Sequence, residues 1–262
     1  MESKLLDLRD CHDEEFRRIN EQMQDISLKQ QPAWFRPLLH RNRFLQRWVG
    51  HDVPTRAWEY PWAVKVARLG QSRLRTLDVG GGASPFAIYL AMLGHDSVVA
   101  DPSLPDQSAT GDLSTKGPYR SLRSLLSRLV AKALGVNRRW GLPNAMPSPL
   151  VSYYPYSATH LEFPDRSFDR VFCLSVMEHI PLDQWGRCMK EFERVLRPGG
   201  RLLITLDMST PQADCRLYLR LIGSSALTLC GNPNYAAPIT VEDKKLRHPS
   251  HTYETIGLAW QA

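Results

Sequence analysis

From residue 74 onward, short runs of apolar residues alternate with stretches of helical periodicity. Arg75–Val79 is a compact apolar run that reads as a buried strand, and Pro85–Leu93 reads as a helix stopped by Gly94. Ser97–Ala100 is a second strand ending at Asp101. Further on, Val151–Tyr156 and Phe168–Leu174 have the length and β-branched or aromatic content of strands. Leu182–Leu196 has the apolar stripe of an amphipathic helix, ended by Pro198-Gly199-Gly200, and Arg201–Leu206 is a strand that closes at Asp207. Thr252–Trp260 reads as a last strand with no clear hairpin partner, and residues 208–250 do not parse. Strands alternating with helices predict an α/β fold with a mainly parallel sheet and right-handed crossovers.

Upstream the pattern is helical and polar. Phe16, Ile19, Met23 and Ile26 recur at three- and four-residue steps, one apolar stripe that either packs on the chain's own domain or forms a dimer contact. Arg56-Ala57-Trp58-Glu59-Tyr60-Pro61-Trp62 concentrates aromatic residues just before the first core strand. The division this predicts is an N-terminal helical cap over 1–70 and an α/β domain over 71–262, interrupted by an insertion at 102–150.

The insertion is where charge changes the picture. Of the formal net charge of +6, most lies in residues 102–150, which carry Lys116, Arg120, Arg123, Arg128, Lys132, Arg138 and Arg139 against Asp106 and Asp112. Leu122, Leu125, Leu126, Leu129, Val130, Ala133 and Leu134 share one helical face there, with basic residues opposite. Such a helix buries its leucines on the core, acts as a lid, or makes a weak membrane-surface contact through 122–134; the pattern leaves all three open. The rest of the composition is that of an ordinary globular protein, with no apolar run long enough to span a membrane. Five scattered cysteines without a Cys-x-x-Cys pair argue for reduced thiols and against a zinc site, and the charged start is unlike a signal peptide. A cytoplasmic location is expected.

The candidate chemistry lies at four places in a fixed order. A glycine turn, Gly80-Gly81-Gly82, follows the first strand, which carries Asp78; glycines there let the backbone turn sharply and approach a ligand closely. Asp101 ends the second strand, 23 residues after Asp78, where an acid can accept both hydroxyls of a ribose. The segment Phe163-Pro164-Asp165-Arg166-Ser167-Phe168-Asp169 leads into the next core strand, which runs to Val176-Met177-Glu178-His179. Finally, Leu196-Arg197-Pro198-Gly199-Gly200 makes the turn before Arg201–Leu206. Pro85 stands where a dinucleotide fingerprint needs its third glycine, which argues against a nicotinamide site.

Over about residues 74–207 this ordered set resembles the class I S-adenosylmethionine-dependent methyltransferases, in particular the methyltransferase type 11 group. The resemblance implies a Rossmann-like sheet of about seven strands and S-adenosylmethionine as cofactor. It implies that Asp78, Gly80 and Gly82 border the methionine part of the cofactor and that Asp101 holds the ribose. Ser157 and Ala158 fall at the adenine positions, with Ser157 in place of the usual acid, and Ser175 falls near the amino-acid end. A serine acceptor bonds more weakly than a carboxylate, so weakened cofactor affinity or a non-catalytic relative are the alternatives at this position.

For a hydroxyl acceptor the protein must remove a proton, and His179, after the fourth core strand, is the candidate base. Asp207 matches the acid that assists in the sugar O-methyltransferases this region resembles. The alternatives are a helix-start role for His179 and a turn role for Asp207. No Asn/Asp-Pro-Pro-aromatic or Pro-Cys motif follows the fourth strand, so no specific nucleic-acid partner is expected. A small molecule, sugar, glycan or lipid-linked acceptor remains. Trp58 and Tyr60 either close over such a ligand or pack the N-terminal helices. No metal site is expected, and the sequence does not determine the oligomeric state.

Overall fold

The structure is a computed structural model that describes residues 2–30, 37, 54–82, 84–104, 136–137, 142–143, 148–208, 223, 225–231 and 254–262. Most of the basic insertion, including 122–134, and all of 209–222 lie outside them.

The strands are β1 (Lys4–Leu5), β2 (Arg75–Val79), β3 (Asp96–Ala100), β4 (Val136–Asn137), β5 (Leu142–Pro143), β6 (Val151–Tyr154), β7 (Phe168–Leu174), β8 (Leu196–Met208), β9 (Thr228–Leu229) and β10 (Glu254–Gln261). One sheet runs β1-β10-β8-β7-β2-β3-β6, with β9 also on β10, and β4 pairs only with β5. The pairs from β8 to β6 are parallel, whereas β10 lies antiparallel to both β8 and β1. Because β2 sits between β3 and β7, the chain leaves the first core strand in one direction and returns to the other side. That reversal opens the crevice in which doubly wound sheets bind ligands, at the carboxyl ends of their strands.

The helices are α1 (Glu14–Lys29), α2 (Pro54–Val66), α3 (Pro85–Met92) and α4 (Trp185–Val195). Alternation along the strands divides the core into two faces. Val171, Cys173, Leu202 and Ile204 face α4 through Cys188, Met189, Phe192 and Val195. Phe172, Leu174, Leu203 and Ala259 face α1, α2 and α3. The stripe Phe16, Ile19, Met23 and Ile26 is buried in this second core, so it packs on its own domain rather than forming a dimer contact. Nor does the N-terminal segment stand apart from the α/β domain, since β1 is part of the sheet and Ser3 bonds the backbone of Ala259 from its hydroxyl.

Inside α2, Pro61 lacks the N–H that would bond the carbonyl of Ala57. That carbonyl instead accepts from the Asn20 side-chain amide of α1 at 2.8 Å, which locks the two helices together. Just past the C-terminus of α2, Arg201 Nη1 donates to the Val66 carbonyl at 2.8 Å, and Arg170 donates to the carbonyls of Ala67 and Arg68. Two strand-borne guanidinium groups therefore satisfy the negative end of this helix.

Three details depart from the sequence pattern. The helix expected from Leu182 begins with a 3₁₀ turn over Leu182–Gln184 and becomes α-helical at Trp185. The Pro-Gly-Gly turn is an irregularity within a longer strand β8, where Gly199 has φ 76 and pairing shifts from Phe168↔Leu196 to Arg170↔Arg201. The last strand does have an antiparallel partner, β8, reached across the 45 residues from 209 to 253, a separation no hairpin pattern reveals.

On β10, Gly257 admits the Trp62 ring: a Cβ there would lie 2.5 Å from Trp62 Cζ2. Gly257→Ala is expected to destabilise the fold by about 1–3 kcal/mol through overpacking, read as a lower urea midpoint at unchanged slope.

Candidate active site

The carboxyl ends of β2, β3, β7 and β8 converge on the glycine turn. Gly80 and Gly82 adopt φ 76 and 51, the left-handed region that glycine enters without penalty. A Cβ on Gly80 would lie 2.5 Å from Val176 Cγ2, and one on Gly81 would overlap the Asp78 carboxylate. The turn thus needs glycine twice for conformation and twice for space, and Gly81 is a requirement that the sequence pattern alone did not single out. Ser84 then caps α3 by accepting the Phe86 N–H at 3.1 Å, with Pro85 in the first helical turn.

Two buried acids face this turn. Asp78 is 3% exposed, and burial pushes its carboxyl up to about 7; the neighbouring Asp101 adds to the rise, while the Arg56 guanidinium opposes it. Asp101 is also buried and accepts the Ser103 N–H on Oδ1 at 2.7 Å. Its other oxygen, Oδ2, lies 3.2 Å from where a Gly82 Cβ would stand. A paired acid site beside a backbone with no side chains suits a ligand that carries positive charge and a ribose, and S-adenosylmethionine has both.

Ser157, in the loop after β6, shares a hydrogen bond with the Thr159 hydroxyl at 2.9 Å and also accepts the Thr159 N–H. Ala158 is buried in the core beside it. The loop that continues from there is clamped by α4: Arg194 donates to the carbonyls of Leu161 and Phe163 and to Asp165, while Glu191 accepts the Leu161 N–H at 2.7 Å. Mutual pairing lowers the Glu191 carboxyl and raises the Arg194 guanidinium. Within the Phe-Pro-Asp segment the clamp thus engages the Phe163 backbone and the Asp165 side chain.

Ser175 follows β7 directly with φ 50, and its hydroxyl donates to Glu59. The next residues form a 3₁₀ turn, Met177–His179, that leaves His179 exposed. Asp207 lies in β8 two residues beyond Thr205, whose neighbour across the pair is Leu174, so it occupies the same end of the sheet as His179.

The aromatic candidates are placed differently from the expected ligand cover. Trp58 is fully buried, stacks on Trp62 with centroids 5.5 Å apart, and donates its indole N–H to Asp10 at 2.9 Å. Tyr60 is buried at the Phe86 ring and hydrogen-bonded to Ser84, so it braces the start of α3. Both belong to the core, since rings of this size gain most by complete burial against α1, α2 and α3. Arg56 and Glu59 of that segment reach the ends of β7 and β8, and sequence reasoning passed over them; their signal was a charged pair three residues apart among aromatic residues.

The family model described as a methyltransferase domain matches residues 77–204. The chain carries a class I S-adenosylmethionine-dependent methyltransferase domain. The cofactor of this methyltransferase domain is S-adenosylmethionine. Over 85 residues the chain is 47% identical to 27-O-demethylrifamycin SV methyltransferase of Amycolatopsis mediterranei, a match covering 30% of each protein. Over 108 residues it is 35% identical to the ubiquinone/menaquinone biosynthesis C-methyltransferase of Hahella chejuensis, covering 39% of this chain and 41% of that one. These matches thus span under half the length of the curated relatives. The fold is shared with the 1,6-didemethyltoxoflavin-N1-methyltransferase of Burkholderia thailandensis, at a TM-score of 0.50, 16% identity, and coverage of 88% of this chain and 90% of that one.

The raised Asp78 carboxyl is expected to make stability depend on pH and, if Asp78 borders the cofactor, its affinity as well. An acid held above its ordinary value keeps its proton in the folded protein where the unfolded chain has lost it. Its contribution to stability is thus full below about pH 4 and is lost as pH rises through about 7. A cationic cofactor favours the ionised form, so affinity runs the other way. Binding of S-adenosylmethionine is expected to be about tenfold weaker at pH 6 than at pH 8, and Asp78→Asn to remove most of that dependence, both read by calorimetry.

Proposed function

We propose that the protein transfers the methyl group of S-adenosylmethionine to a hydroxyl of a small molecule, sugar or glycan. The observation that carries this reading is the exposed imidazole of His179 on the turn after β7, at the sheet end where Asp78 and Asp101 flank the glycine turn. The bound cofactor supplies an electrophilic methyl carbon on a sulfonium. His179 takes the proton from the acceptor hydroxyl, Asp207 assists the resulting imidazolium, and Asp78, Asp101 and the glycine turn hold the cofactor in line with the acceptor. The 27-O-demethyl compound in the name of the rifamycin relative supports the choice of oxygen, although the quinone relative is named a C-methyltransferase.

The acceptor partner in this reading is a small molecule or glycan rather than a specific nucleic acid. Among the described residues no helix is long and apolar enough to cross a membrane, and no cluster of three metal-ligating side chains occurs. The test combines calorimetry with transfer of labelled methyl groups from S-adenosylmethionine to panels of hydroxyl, amine and activated-carbon acceptors. Cofactor binding with label on oxygen is the expected result. Label on nitrogen or carbon alone would refute the acceptor class. No binding at millimolar cofactor would make the chain a non-catalytic relative, the outcome that Ser157 at the adenine position allows.

A further inference from the structure

The segment richest in aromatic residues owes its connection to the site to its one acid. Glu59 on α2 is 0% exposed. Its Oε1 accepts from the Thr205 hydroxyl at 2.6 Å and from the Ser175 hydroxyl, and its Oε2 accepts from Arg56 Nη1 at 2.8 Å. The same Arg56 nitrogen donates to the Leu174 carbonyl at 3.2 Å. Thr205 completes the link by accepting the Ser175 N–H on its hydroxyl at 3.0 Å. One buried carboxylate therefore ties a helix to the ends of two adjacent strands, β7 and β8.

What it holds is a residue in an unfavourable conformation. Ser175 sits at φ 50, where a residue with a Cβ needs support from its surroundings. Directly after it comes Val176, whose methyl groups fill the space beside Gly80, and the Val176 carbonyl accepts the His179 N–H at 3.0 Å. An unbroken chain of contacts thus runs from Glu59 through Ser175 to Val176, and there divides toward the glycine turn and toward His179.

We infer that Glu59 is a positioning residue of the methyl-transfer site, holding the loop after β7 so that Val176 shapes the cofactor turn and His179 stands over the strand ends. The inference deepens the proposed function and rests on it. Two hydroxyls and a guanidinium all donate to Glu59, so the group acts as a carboxylate among donors. Glutamine keeps an oxygen for the hydroxyls but turns an amide N–H toward Arg56.

The test uses S-adenosylhomocysteine binding by calorimetry at a temperature where circular dichroism shows each variant folded. Glu59→Gln is expected to weaken binding on the order of tenfold, and Thr205→Val to do the same while Thr205→Ser restores it. Val195→Ala, which leaves a cavity at the C-terminal end of α4 on the other face of the sheet, serves as the destabilised control and should bind as the wild type does. Equal affinity in wild type, Glu59→Gln and Thr205→Val overturns the inference while leaving the proposed function intact. Weakening in the Val195→Ala control to the same degree overturns it too, because loss of stability would then explain the effect. Failure of the wild type to bind overturns the proposed function and this inference with it.

Discussion

Asp101→Ala is expected to raise the dissociation constant for S-adenosylhomocysteine by on the order of 10²- to 10⁴-fold. A carboxylate that accepts both ribose hydroxyls makes two charge-assisted hydrogen bonds, each worth roughly 1.5–3 kcal/mol. Within the protein itself Asp101 has a small task, accepting the Ser103 N–H at 2.7 Å in the loop after β3, so the fold should survive its loss. Its removal also takes away one of the influences that raise the Asp78 carboxyl, and the pH midpoint of binding should move down in the variant. Asp101→Asn, which retains one acceptor oxygen, is expected to fall between. Calorimetry decides the matter: affinity within threefold of wild type in Asp101→Ala would remove this acid from the cofactor site.

His179→Ala is expected to lower kcat for the hydroxyl acceptor by about 10²- to 10⁴-fold, the range typical of losing a general base. Cofactor affinity should be unchanged, because the side chain is exposed on a turn and the link of that turn to Val176 is made by the His179 backbone. Single-turnover methyl transfer measured alongside cofactor binding separates the two effects. A variant that keeps near-wild-type turnover would show that the acceptor is already activated by another group, or needs no base at all. Asp207→Asn is the companion variant, and a loss similar in size and non-additive with that of His179→Ala would place both in one unit.

Asp101 and His179 are legible in the sequence because each belongs to a pattern with a fixed geometric meaning. An acid at the end of a second parallel strand, or a histidine just past the end of the fourth, lies at the carboxyl edge by topology alone. The core strands β2, β3 and β7 are legible for a similar reason: they are buried on both faces, so they appear as near-continuous apolar runs. The partner of β10 is hidden because its register with β8 is made across 45 intervening residues, and period-two alternation carries no address. Trp58 and Tyr60 mislead for a different reason. Aromatic residues clustered before a ligand-binding strand have the same sequence signature whether they cover a ligand or fill a core, and only their burial separates the two.

The sequence by itself determined the order of strands and helices, the glycine turn with its flanking acids, and the motifs that mark a methyltransferase domain. Each is local, set by side-chain period, by the backbone freedom of glycine or by the position of an acid at a strand end. Tertiary structure alone decided that Gly81 is required because Asp78 occupies the space of its Cβ, and that Ser175 is held by Glu59 from a helix 116 residues away in the chain. It also decided that Asp78 is an acid poised near neutrality rather than an ordinary carboxylate. All three depend on which groups are brought together and shielded from water, and burial and distance are properties of the folded chain that no single segment carries.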